Sequence, residues 1–212
     1  IAYPRLGFDS FKCGEDMDVP QTEEHGYVSD DSDFEQIIWE FEHKDESTPL
    51  FLFNVTIQNH GSYTVEDYPA EVQLADEPGA YPKAEQYLTL ANKTDEAFKK
   101  LIDYFSAQTE PTILVMFGDH QPSVEQEFLD KAYGVTQDEM TMAQYMDKFK
   151  VPFIIWANYP LTSDSTKVTS LNFLAQYVLR NAGIETSAYG KYLWNLQKTI
   201  PAMTFAGYFD SE

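Results

Sequence analysis

The 212 residues carry 35 acidic against 14 basic side chains, a formal charge of −21, with 43% apolar and 15% aromatic residues. Such a chain fills a sizeable core, which excludes a disordered tail. The acidity excludes nucleic acid as a partner, since no basic stripe is present to release counterions, and excludes electrostatic adhesion to an anionic lipid surface. No apolar run approaches the ~18 residues of a membrane span, and no signal peptide opens the chain. Ile1 is not a natural start, so a piece of a longer protein is expected. Cys13 is the one cysteine, which rules out a disulfide within the chain; it reads as an ordinary thiol.

Residues 1–30 read as irregular, with the aromatics of the Tyr3–Phe11 stretch anchoring a loop and an acidic run following to Asp33. Ser32-Asp33-Phe34-Glu35 has capping-box spacing. Phe34, Ile37, Ile38 and Phe41 then follow at i, i+3, i+4 and i+7, which predicts a helix to about His43. His43 in the last turn and His25 in an acidic loop both read as surface residues. Pro49 breaks the chain before Leu50–Ile57, a buried-strand candidate that leads into Gln58-Asn59-His60-Gly61-Ser62-Tyr63. Thr64–Lys83 has no periodicity and reads as a long surface loop. A helix is predicted over 84–107, striped by Leu88, Ala91, Phe98, Leu101, Ile102 and Phe105, with Thr94-Asp95-Glu96 on its polar side.

Ile113-Leu114-Val115-Met116-Phe117 is five apolar residues in a row, the pattern of a strand buried on both faces in a parallel sheet. Gly118 ends the pleat, and Asp119 and His120 follow. In a regular strand those two side chains would point to opposite faces, whereas past the strand end they can converge. A short helix is predicted over 124–133, stopping at Gly134; 135–148 is expected to be a polar, mobile excursion whose methionines serve packing. Val151–Ala157 is a third strand with Pro152 near its start, Ser170 caps a helix stopped by Gly183, and the aromatic tail from Tyr189 packs on the surface. Alternating helices and strands predict one α/β domain with a mainly parallel sheet flanked by helices.

Asp-His pairs are common in solvated loops, so the dipeptide alone says little. The buried strand and terminal glycine before it are what raise it to half of a divalent-metal site, at the carboxyl end of a strand where open α/β sheets bind ligands. His60 repeats the arrangement (apolar strand, polar residues, His, Gly) and would lie at the same edge of a parallel sheet; the plainer reading is a histidine that satisfies loop carbonyls. No phosphate-cradling glycine-rich loop and no Gly-x-Ser-x-Gly elbow is present.

Phe51–Tyr63 followed by Val115-Met116-Phe117-Gly118-Asp119-His120-Gln121-Pro122 resembles the lipoteichoic acid synthase family, within the alkaline-phosphatase and sulfatase superfamily. So do Tyr3–Phe11 and Val151–Ala157, and the resemblance runs through about residue 182. It implies the C-terminal part of an extracellular catalytic domain from a membrane-anchored Gram-positive enzyme. Such an enzyme moves glycerol phosphate from phosphatidylglycerol onto a growing glycolipid-anchored polymer, with a threonine nucleophile and a divalent metal, usually manganese. By motif match, Asp119 and His120 are metal ligands and His60 contacts the substrate phosphate. The nucleophile and a further acidic ligand match nothing in this chain; Thr56 and Thr64 are not at the matching position. The fragment alone is therefore expected to be inactive and to bind metal weakly or not at all, its partner being the upstream half of its own domain. Two alternatives stay open: a sulfatase or other phosphodiesterase of the superfamily, since both esters present tetrahedral anions, and a non-catalytic cell-surface module.

Overall fold

The computed structural model describes residues 3–66, 68–162 and 168–209. They fall into two compact units, one formed by 1–104 with 122–128 and the other by 105–121 with 129–212.

In the first unit, strands β1 (Glu23–Glu24) and β2 (Tyr27–Val28) make a tight antiparallel hairpin. Its two turn residues, His25 and Gly26, both have left-handed backbones (φ 57° and 83°), as a primed two-residue turn requires. Helix α1 (Asp30–His43) is capped by Ser29, whose hydroxyl accepts from the Ser32 N–H at 3.2 Å. The cap thus lies three residues before the one the capping-box spacing selects. Ser32 instead turns its hydroxyl back to the Ser29 carbonyl at 3.2 Å. Asp30, Asp31 and Asp33 occupy the first turn, where the helix dipole favours them. Helix α2 (Pro82–Ser106) starts on proline, and the Glu125 carboxylate accepts the Lys83 and Ala84 N–H groups at 2.8 and 3.1 Å. Its buried stripe within this unit is Ala84, Leu90, Ala97 and Leu101.

The segment 50–57 is not the buried strand that its composition predicts. It forms no ladder among the described residues, and Phe51, Phe53, Val55 and Ile57 are 76%, 50%, 66% and 41% exposed. The opposite row faces α1. Asn54 donates to Asp33, and the Gln58 Oε1 accepts the Asp30 N–H at 3.0 Å. An apolar stretch becomes a buried strand only where neighbours cover both faces, and the described residues cover one.

Asp30 lies at the centre of this packing, fully buried, with Oδ2 accepting from the Thr94 hydroxyl at 2.6 Å and Oδ1 without a hydrogen-bond partner among the described residues. Burial pushes its carboxyl up to about 6, and Asp33 adds to this, while Thr94, Thr56 and the Gln58 contact pull it back.

In the second unit, β3 (Ile113–Phe117) pairs with β4 (Phe153–Ala157), register Ile113↔Ala157 to Phe117↔Phe153. This pairing is antiparallel, and so are the other two pairings among the described residues, which corrects the expected parallel sheet. The α/β class holds. An apolar run carries no information on strand direction. Here the connection from 118 to 152 leaves and re-enters at the same end of the pair. The two strands are half-covered rather than buried on both faces, with Phe117 36% and Ile154 47% exposed. Asn158 locks the far end. Its amide donates to the Gln108 and Glu110 carbonyls at 3.1 and 2.8 Å, and its Oδ1 accepts from the Thr112 N–H at 2.9 Å.

The connection contains α3 (Gln126–Tyr133), a 3-10 turn and α4 (Met142–Asp147). The predicted polar excursion is therefore ordered. Thr141 and Gln144 form a true capping box, and Met146 is buried. Helix α5 (Leu171–Asn181) buries Phe173 and Leu174. Ser170 stands at its start but does not cap it through its side chain, since its hydroxyl is spent on the Met203 N–H and carbonyl at 2.6 and 3.1 Å. Those bonds tie down the hairpin β5 (Ala202–Thr204) and β6 (Gly207–Phe209), the ordered form of the aromatic tail. Helix α6 (Ala188–Leu196) approaches α5 through Gly190.

Two stability measurements check this packing. A Cβ on Gly190 would lie 1.8 Å from the Thr186 Oγ1 and 2.5 Å from the Gln176 Oε1. Gly190→Ala should therefore lower stability by about 2 kcal/mol, read as a fall of roughly 4–8 °C in Tm. The raised Asp30 pKa means that the folded state holds that proton more tightly than the unfolded chain. Its contribution is fully present below the unfolded value of 3.8 and is lost as pH rises through about 6. Relative to Asp30→Asn, the native protein should lose on the order of 2 kcal/mol of unfolding free energy across that window in denaturant titrations.

Candidate active site

The ladder of the second unit extends one residue past β3, where the Gly118 N–H donates to the Pro152 carbonyl at 3.1 Å. A Cβ on Gly118 would sit 3.1 Å from the Val151 Cβ, so glycine allows the backbones to close at this point. Pairing then ends and the chain turns. The His120 N–H donates to the Asp119 Oδ1 at 2.8 Å, and the His120 Nε2 lies 3.4 Å from the Asp119 Oδ2. The two side chains, which a continuing strand would hold on opposite faces, therefore converge.

The His120 Nδ1 lies 2.9 Å from the Gln121 carbonyl, which can only accept. A neutral His120 therefore carries its proton on Nδ1 and presents the Nε2 lone pair beside the carboxylate. Both side chains are open to solvent, 73% and 85% exposed. An imidazole lone pair and a carboxylate oxygen at this spacing fit two corners of a divalent-metal site. Among the described residues no group of three or more His, Cys, Asp or Glu side chains could hold a metal, so further ligands would have to come from elsewhere.

His60 belongs to the first unit, Asp119 and His120 to the second. Because 51–57 pairs with no described strand, the parallel edge expected to gather the three is not formed by the described residues. His60 follows a turn closed by its own N–H on the Ile57 carbonyl at 2.9 Å. Its ring stands edge-on to Tyr27, centroids 5.7 Å apart, with Nδ1 3.4 Å from the Tyr27 hydroxyl. Nε2 makes no hydrogen bond among the described residues.

His43 is the surface residue the sequence suggests, with Nδ1 2.8 Å from the Trp39 carbonyl and its ring stacked on Trp39. His25 is not. The turn tucks its ring among Tyr27, Tyr63 and Tyr68, with both ring nitrogens buried and unpartnered among the described residues. The His25-Gly26 dipeptide is the sequence signal of that turn. Thr94, assigned by periodicity to the polar side of α2, is only 6% exposed and belongs to the Asp30 cluster; helical spacing does not distinguish a buried hydroxyl from a solvated one. Cys13 is exposed and free.

The sulfatase family model matches residues 1–184. A Rhizobium meliloti protein provisionally named for cyclic beta-1,2-glucan modification is 28% identical over 200 residues, spanning 90% of this chain and 30% of its own length. The capsular polysaccharide biosynthesis protein RkpI of the same organism is 29% identical over 121 residues, spanning 57% of this chain and 21% of that protein. The chain thus covers less than a third of each curated relative. Among solved structures, Streptococcus pyogenes phosphoglycerol transferase GacH in complex with sn-glycerol-1-phosphate superposes with a TM-score of 0.74, covering 94% of this chain and 50% of that one. At 18% identity that likeness establishes a shared fold. With the family model running from residue 1 to residue 184, this chain belongs to the sulfatase family.

Proposed function

We propose that this chain is part of a metal-dependent phosphoglycerol transferase that moves glycerol phosphate from phosphatidylglycerol onto a cell-surface polymer, of lipoteichoic-acid or polysaccharide type. The observation that carries this reading is the Asp119–His120 pair, with the imidazole Nδ1 2.9 Å from a backbone carbonyl and Nε2 3.4 Å from the carboxylate. The fold shared with GacH supports phosphoglycerol as the group transferred, and the names of the two Rhizobium relatives support a glycan acceptor. We place the reaction at the outer face of the cell membrane.

Asp119 and His120 would hold the divalent ion, manganese in this reading, which would neutralise phosphate charge and lower the pKa of a hydroxyl nucleophile. The attacking hydroxyl and the remaining ligands belong to parts of the protein outside these residues. Attack on phosphorus breaks the bond to the lipid's glycerol oxygen, and His60 delivers a proton to that oxygen as it leaves. The exposed apolar row Phe51, Phe53, Val55 and Ile57 is read as a surface that the rest of the catalytic domain covers.

The intact protein, assayed for diacylglycerol release from labelled phosphatidylglycerol, tests the reading. Asp119→Asn and His120→Gln should each lower the rate at least ~100-fold, and His60→Gln by roughly 100-fold. Chelation should abolish turnover and manganese restore it. Unchanged rates in the Asp119 and His120 variants would refute the assignment. Hydrolysis of aryl sulfates in place of lipid would make the protein a sulfatase.

A further inference from the structure

The two residues preceding His60 are held by one hydroxyl. The Thr94 Oγ1 lies 2.6 Å from the Asp30 Oδ2, 3.2 Å from the Gln58 Nε2, 2.8 Å from the Asn59 Nδ2 and 3.2 Å from the Leu90 carbonyl. A hydroxyl has one proton to give and two lone pairs to offer. The carboxylate is the nearer and stronger acceptor, so the proton goes to Asp30. Both lone pairs then face the two side-chain amides, and the Thr94 hydroxyl is saturated. The Gln58 Nε2 also reaches the Leu90 carbonyl at 3.2 Å, and its Oε1 accepts the Asp30 N–H at 3.0 Å. The Asn59 carbonyl accepts the Tyr63 hydroxyl at 2.7 Å. The chain is thereby fixed on both sides of His60.

We propose that Thr94 is the positioning residue for His60: its hydroxyl, oriented by the buried Asp30 carboxylate, clamps the Gln58 and Asn59 amides and so sets where the imidazole stands. This deepens the reading of His60 as the group that acts on the phosphate ester, and rests on it. The clamp depends on the charge of Asp30. Protonated on Oδ2, the oxygen that faces Thr94, Asp30 becomes a donor to the Thr94 oxygen. Three donors then compete for two lone pairs, the Thr94 proton turns to the Leu90 carbonyl, and one of the two amides is released. The groups that bear on Asp30 are Asp33 on its own helix, Thr56 and Gln58 from the segment before His60, and Thr94 from α2.

The intact protein decides this with Thr94→Val, which keeps the shape and removes the hydroxyl, and Thr94→Ser, which keeps the hydroxyl. Two readouts are taken: kcat and KM for diacylglycerol release, and amide hydrogen exchange of peptides spanning 57–63, corrected for intrinsic rates. Thr94→Val should lower kcat at least ~10-fold at unchanged KM and raise exchange in that window by a similar factor, while Thr94→Ser stays within about threefold of native. In the native protein, corrected exchange there should also rise as pH falls from 7 to 5, and in Thr94→Val this dependence should vanish. Thr94→Val with kcat and exchange within twofold of native overturns the proposal, as does a lowered Tm with unchanged kcat. Should Thr94→Val not fold, Asn59→Ala, which removes one amide only, must show the same loss at several-fold size, and its absence overturns the proposal. His60→Gln with undiminished turnover overturns instead the reading of His60, and the exchange measurement then judges the clamp alone.

Discussion

The short ladder between β3 and β4 decides where the Asp119 and His120 side chains stand. It runs from Ile113↔Ala157 to Phe117↔Phe153, with Asn158 fastening one end and the Gly118–Pro152 bond closing the other. Two polar residues emerge immediately beyond that closure. Had the strand continued, its two-residue alternation would have separated the Asp119 and His120 side chains. Because it stops, a backbone carbonyl can fix the imidazole tautomer and turn its lone pair toward the carboxylate. The geometry arises from the end of the sheet and not from its body.

His60 of the first unit is held by other means. No described strand pairs with 51–57, so the segment is held from one side by side chains on α1 and α2. The anchor is a buried carboxylate with one oxygen unpartnered among the described residues, a costly arrangement. Its neighbours are hydroxyl and amide groups whose donors and acceptors interlock, so loss of one partner is passed to the next. Four residues along the opposite row, Phe51, Phe53, Val55 and Ile57, stay exposed and apolar.

Much of this was legible in the residues. Apolar periodicity located α2 and the helix that Gly183 ends, and apolar runs located β3 and β4, because each of those patterns reflects burial against a neighbour in the same chain. Segment 50–57 carries the same apolar pattern without that burial, because the described residues cover only one of its faces. Strand direction was invisible, since a run such as Ile113–Phe117 reads identically in a parallel or an antiparallel pair. The Asp119–His120 convergence followed from the glycine that ends the strand. The Asp30–Thr94 clamp could not be read, because it joins residues 64 apart in sequence through one hydroxyl on a helix face that spacing alone assigned to solvent.

As proposed, Asp119 and His120 are ligands of one divalent ion. Manganese titration of the intact protein, followed by the loss of the free-ion electron paramagnetic resonance signal, tests it without reference to any substrate. One bound ion per chain, with affinity weakened at least ~100-fold in both Asp119→Ala and His120→Ala, is the predicted result. Native affinity and stoichiometry retained in both variants would contradict it.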